Sequence, residues 1–279
     1  MNAKRNARTN QSKKRGNPVG TIVGVVLVIA LVLVAGEIAV RMFLGKEISD
    51  GFREHERARG VEVTEDVETS FGSNPVLMAL LTKKLGGMDL KTPSTLKIDD
   101  PRGDKGTPSI KGSPAATVTL TDVDVSNTSD PVAAKVDVVS DLPPDLMIAE
   151  ANIRVSDAAG GSGNILEDIV SSAVRLTNLT PHPDRGVLTA EFSGGIATVD
   201  IRPVVRDGGV TAEVEGGSVL GVDVSGMISR FAEAAVAGPA QQIGHGFTVK
   251  DVAVTERGVT VTLEGRDIAL SGISAIEYR

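Results

Sequence analysis

An uncharged run from Gly16 to Gly36 constrains this chain more than any other feature. Its apolar part, Val19 to Ala35, reads VGTIVGVVLVIALVLVA. About 20 helical residues rising ~1.5 Å each cover a hydrocarbon core ~30 Å thick. A helix also satisfies its own backbone hydrogen bonds, which lipid cannot do. Residues 19–44 are therefore expected to form a transmembrane anchor in the cytoplasmic membrane. Lys4, Arg5, Arg8, Lys13, Lys14 and Arg15 precede the run with no acid among them, and only Arg41, Lys46 and Arg53 lie close on its other side. That asymmetry predicts a basic cytoplasmic tail over 1–18 and an extracytoplasmic C-terminal domain on a single-pass chain. The competing reading is a cleaved signal peptide, which also starts basic and apolar. The apolar stretch exceeds the usual length for one, and Val34-Ala35-Gly36 is the nearest small-x-small site.

Charge narrows the function classes. The chain of 279 residues carries −7 overall despite its basic tail, so the remainder of the chain is strongly acidic. Such a domain repels nucleic-acid phosphates and anionic lipid headgroups at long range, so neither a nucleic-acid partner nor electrostatic docking on a membrane surface is expected. Cysteine is absent, which excludes disulfides, thiolate metal sites and a lipid-modified cysteine.

Residues 45–60, GKEISDGFREHERARG, read as a charged tether, either helical in part or, if extended, reaching at most roughly 55 Å. A helix is expected over 74–85, with Asn74 as cap, Pro75 in its first turn, and Lys83 and Lys84 near its end. Gly86 is its expected stop, and Val76, Leu77, Leu80, Leu81 and Leu85 form its apolar face. Residues 87–98 read as a strand broken at Pro93, and 99–114 as a Pro/Gly-rich loop.

From 115 onward, period-two alternation dominates. Val118 and Leu120 alternate with threonines; Val132, Ala134, Val136 and Val138 alternate with Ala133, Lys135 and Asp137. Turn signals fall at 184–186, 194–195, 207–209, 216–217 and 257–258. These predict hairpins and a long antiparallel sheet with one buried face. Two further helices are expected, one from Asn164 with Glu167 as capping partner, the other over about 225–237 with Ile228, Phe231 and Ala235 as its stripe. The class is α+β: one antiparallel sheet covered by amphipathic helices and preceded by one transmembrane helix. The outer domain is assigned to 61–279.

Catalytic motifs do not emerge. His55, His182 and His245 lack a partner at helical spacing, and Gly161-Ser162-Gly163 lacks the spacing of a nucleophile elbow. Asp122, Asp124, Asn127 and Asp130 do not match a calcium loop, since no glycine or closing glutamate falls in place. No catalytic residue, metal or cofactor is expected, and the chain does not read as an enzyme. What remains is apolar surface. It is either a plain packed core or a groove for an alkyl chain, whose burial contributes ~0.8 kcal/mol per methylene. Periodicity does not separate these readings.

The order of segments adds a resemblance. Asn74-Pro75-Val76-Leu77-Met78-Ala79-Leu80-Leu81 followed by Gly86-Gly87 is one part. Gly246-Phe247-Thr248-Val249-Lys250-Asp251-Val252-Ala253-Val254-Thr255, then Gly258-Val259-Thr260-Val261 and Gly265, is the other. Over roughly 60–271 the chain resembles the LmeA-like phospholipid-binding proteins of actinobacteria. It departs at Gln242-Ile243-Gly244-His245, where a Leu-Pro pair is expected. The resemblance implies an extracytoplasmic protein that binds or transfers phospholipid, or another acyl-chain lipid, in support of cell-envelope lipid or lipoglycan maintenance. It also implies a curled antiparallel sheet wrapping a helix. Leu77, Met78, Leu81, Ile228, Phe231 and Ala235 are then the expected groove lining. The alternative is a non-catalytic envelope scaffold, whose protein partner the sequence does not identify.

Overall fold

A computed structural model describes residues 18–127, 129–159, 175–219, 222–223 and 246–270, with side chains from 28 onward. The expected helices at Asn164 and at 225–237 lie outside the described residues, and with them Ile228, Phe231 and Ala235.

Helix α1 (Pro18–Ala58) is continuous over 41 residues. The segment read as a tether is thus helical to Ala58. The reason is a stripe the charges obscure: Val40, Leu44 and Ile48 recur every four residues and pack against the domain's first core. Half-buried Phe52 and buried Glu56 continue it. On the outer face, Asp50 pairs with Lys46 at 2.9 Å and with Arg53 at 3.1 Å. Pairs at these spacings stabilise a helix by a few tenths of a kcal/mol each (~0.2–0.5).

Helix α2 (Val76–Thr82) is shorter than expected. Lys83 ends it in the left-handed conformation, at φ 57°. Gly86 is therefore not the stop; it lies inside the following strand. A Cβ there would stand 1.9 Å from Asn74 Nδ2. Asn74 lies across Gly86 rather than capping the helix.

Among the described residues the strands are antiparallel and form two larger sheets and a hairpin, where the sequence pointed to one sheet. The first sheet holds β1 (Glu68–Ser70), β2 (Lys84–Thr92), β5 (Ala116–Asp124), β6 (Val132–Leu142), β12 (Phe247–Thr255) and β13 (Gly258–Ala269), in the order β1-β2-β5-β6-β13-β12. The second holds β7 (Leu176–His182), β8 (Val187–Phe192), β9 (Ala197–Arg206), β10 (Gly209–Val219) and β11 (Val222–Asp223), in the order β11-β10-β9-β8-β7. β3 (Lys97–Asp99), at the end of the strand expected over 87–98, pairs with β4 (Ser109–Lys111) inside the loop expected at 99–114. Asp207 and Gly208, both at positive φ, join β9 to β10 as a two-residue turn. Gly216-Gly217 is not a turn; both residues are paired within β10, just after a register shift between Val214 and Gly216.

Four strands of the first sheet share a fault line. Gly86, Asp122, Ala134 and Asp267 occupy matching positions on β2, β5, β6 and β13, and their pairings are the ones missing from otherwise constant registers. Asp122 and Asp267 take positive φ, 51° and 52°. Each strand inverts its alternation there. On β5, Val118 and Leu120 are buried before the fault and Val123 after it; on β6, Ala133 is buried on one side, Val136 and Val138 on the other. This is why Val132 and Ala134 face outward, against the sequence reading.

One core lies between the first sheet, α1 and α2; a second joins the second sheet to β12, β13 and α3 (Pro144–Ala159). The sequence pattern did not point to helix α3. Its buried Asn152 donates to the carbonyls of Pro101 and Leu176 at 3.0 and 2.9 Å and accepts from Leu176 N–H at 2.9 Å.

Candidate functional site

The most chemically distinct surface lies where α1 meets α2 and β1. Along α1, side chains from Val28 to Val34 are exposed, as are Ile38, Met42 and Phe43 further on, with Met42 at the cleft beside β1. An 18-residue stretch of this helix has mean hydropathy 2.1 and none of it is buried. By length and composition α1 is able to cross a membrane.

At the end of this apolar surface, α1 takes hold of α2. Glu37 accepts hydrogen bonds from Val76 N–H at 2.6 Å and Leu77 N–H at 2.9 Å. It thus supplies, from another helix, the cap that Pro75 cannot provide. Arg41, one turn further on, donates to Glu37 at 2.6 Å and to the carbonyls of Gly72 and Asn74 at 3.0 and 2.9 Å. Charge-assisted bonds of this kind are about twice as strong as neutral ones. Gly36 leaves room for Leu77, whose Cδ1 lies 3.4 Å from where a Cβ would stand.

Two more contacts fix α1 downstream. Ser49 Oγ accepts from Val67 N–H at 3.1 Å and donates to Val67 C=O at 3.3 Å. Glu56, 1% exposed, accepts from Thr95 Oγ1 at 2.6 Å and Ser113 Oγ at 3.2 Å, with Arg59 3.6 Å away.

Between α1 and β1 runs an open cleft of about 640 Å³. Arg41, Lys46, Arg53, Asp66, Ser70 and Phe71 contribute to its walls. Lys46 and Arg53 pair with Asp50, and Arg53 also with Asp66. The cleft is consequently zwitterionic, unlike the acidic chain as a whole. Among the described residues, no group of three or more His, Asp or Glu is arranged to hold a metal.

The predicted lining residues Leu77, Met78 and Leu81 share helix α2. Leu77 is half-buried against α1, whereas Met78 and Leu81 are 50% and 79% exposed. Val76 and Ala79 supply the buried face instead. Sequence reasoning missed Glu37 and Arg41. The signal was an acid directly after the uncharged run with a base four residues on. No family model matches this chain, and no curated protein or solved structure matches it either.

Proposed function

We propose that this is a membrane-anchored lipid-binding protein that handles phospholipid at the junction of α1, α2 and β1. The observation that carries the reading is adjacency: exposed apolar Met78 and Leu81 stand on a helix bonded to the end of the apolar stretch, beside a zwitterionic cleft. Acyl chains would lie on the apolar faces and a phosphate against the cations of the cleft. Arg and Lys retain donors beyond those used in their internal pairs. The α1 span would hold the domain outside the cytoplasmic membrane. The fault line supports a curled sheet, because two successive residues face outward on each strand there and lengthen the outer surface.

The test uses full-length protein reconstituted in vesicles. It should accelerate exchange of a fluorescent phospholipid with acceptor vesicles, and Leu81→Glu should bring exchange to the protein-free rate. Leu81 is so exposed that this change leaves the packed core untouched. Unaccelerated exchange, with no lipid retained after detergent washing, would remove the proposal.

A further inference from the structure

We infer that the outer face of α2 is a membrane-docking wedge, seated in the same leaflet through which α1 leaves the bilayer. The inference rests on α1 spanning the membrane, and it concerns how the domain is held rather than what it carries.

Depth is the first argument. Val76 and Leu77 are bonded to Glu37, immediately after the uncharged run. The seven residues of α2 extend only about 10 Å at ~1.5 Å per residue. Met42 and Phe43, 71% and 65% exposed, lie about 8–9 Å beyond Glu37 along α1. The apolar surface of α1 thus reaches nearly as far outward as α2 can extend. A hydrocarbon core of ~30 Å ending near Phe43 would begin near Gly24, which matches about 20 residues.

Continuity is the second argument. Met78 and Leu81 are large, apolar and exposed, and they stand on a helix whose Val76 and Leu77 are bonded to Glu37 at the end of the uncharged run of α1. The charges at this depth are matched from within: Glu37 and Arg41 bond each other and the backbone of 72–77. Lys83 and Lys84 come directly after α2 and are exposed, where lipid phosphates would meet them. Asp124, paired with Lys84 across the sheet, offsets part of that charge, so apolar contact dominates.

The chain has no cysteine, so a single introduced one is unique. Leu81→Cys, Leu31→Cys and Ile196→Cys are each labelled with a nitroxide in full-length protein. The vesicles contain equal parts phosphatidylglycerol and phosphatidylcholine. Collision with oxygen, which concentrates in lipid, is compared with collision with a water-soluble nickel chelate. Ile196 is exposed on the second sheet and reports the aqueous side. The oxygen-to-nickel ratio at position 81 should exceed that at 196 several-fold and fall below that at 31, which lies deeper in the bilayer. A ratio at 81 equal to that at 196, with 31 still in lipid, overturns the wedge and leaves the span intact. An aqueous ratio at 31 overturns the span and the wedge with it. A label at 81 shielded from both reagents would mean that protein covers the face, which also overturns the wedge.

Discussion

Replacing Glu56 with alanine tests whether the C-terminal part of α1 is built into the domain. The carboxylate is buried to 1% exposure and receives hydroxyl bonds from Thr95 at 2.6 Å and Ser113 at 3.2 Å. Hydrogen bonds to a charged group contribute roughly 1.5–3 kcal/mol each. Arg59 is partly exposed and regains water when its partner leaves, so the lower end applies to the cluster. Two bonds at ~1.5 kcal/mol give a loss of about 3 kcal/mol. For a domain of this size that lowers Tm by roughly 6–12 °C. The assay is thermal unfolding of the full chain in detergent, with hydrogen exchange at residues 49–58 to detect local release of the helix. A change within about 0.5 kcal/mol, the range of ordinary surface substitutions, together with unchanged exchange, would refute the reasoning. A free tether would give that result.

Glu264 governs part of the acid response. Hydrogen bonds from Lys250 and then Arg266 lower its pKa from 4.5 to about 2. Its contribution is therefore complete above pH 4.5 and fades as pH falls through the folded value; Glu264→Gln should make urea stability flatter across that window. Asn152→Ala removes three bonds, two of them buried, that join α3 to β7 and the loop before β4, and should cost about 2–4 kcal/mol by urea unfolding. Leu120→Ala, at a side chain 1% exposed in the first core, should cost about 2–5 kcal/mol. Leu81→Ala on the exposed face should change the same measurement by no more than about 0.5 kcal/mol.

The sequence made legible whatever is written in local period or turn chemistry. Strand alternation marked β5, Asp207-Gly208 marked a hairpin, and the Leu-rich run at 76–82 marked α2. Long-range partners hid the rest. Asn74 looked like a cap because the residue that caps α2, Glu37, lies 39 positions away. The tail of α1 looked like a tether because only one residue in four of it is apolar and its most buried side chain is a carboxylate. Helix α3 escaped notice because Asn152 sits on its buried face and interrupts the stripe. Outward-facing Val132 and Ala134 were misread because nothing within β6 signals an inversion; its markers, Asp122 and Asp267, lie on neighbouring strands. At the site, apolar α2 was visible, but its exposure depends on which face α1 leaves uncovered.

How α1 is attached decides what an anchor could do. A free segment of 16 residues would let the domain roam within about 55 Å of the membrane. Here the helix is bonded at Glu37, Ser49 and Glu56, contacts spread over about 28 Å of its axis. Releasing it requires breaking charged and buried bonds along that whole length, so the height and tilt of the domain are set by the helix. A chain that spans a membrane with such a mount would keep α2 and the adjacent cleft at one depth. Any lipid it takes up would then enter laterally from its own leaflet, and the reach of the domain would add nothing to the exchange. Inserting a flexible Gly-Ser segment after Arg59 would lengthen the connection while leaving Glu37, Ser49 and Glu56 in place. It should therefore leave lipid exchange unchanged; an increase with linker length would show that reach, not fixed placement, limits the activity.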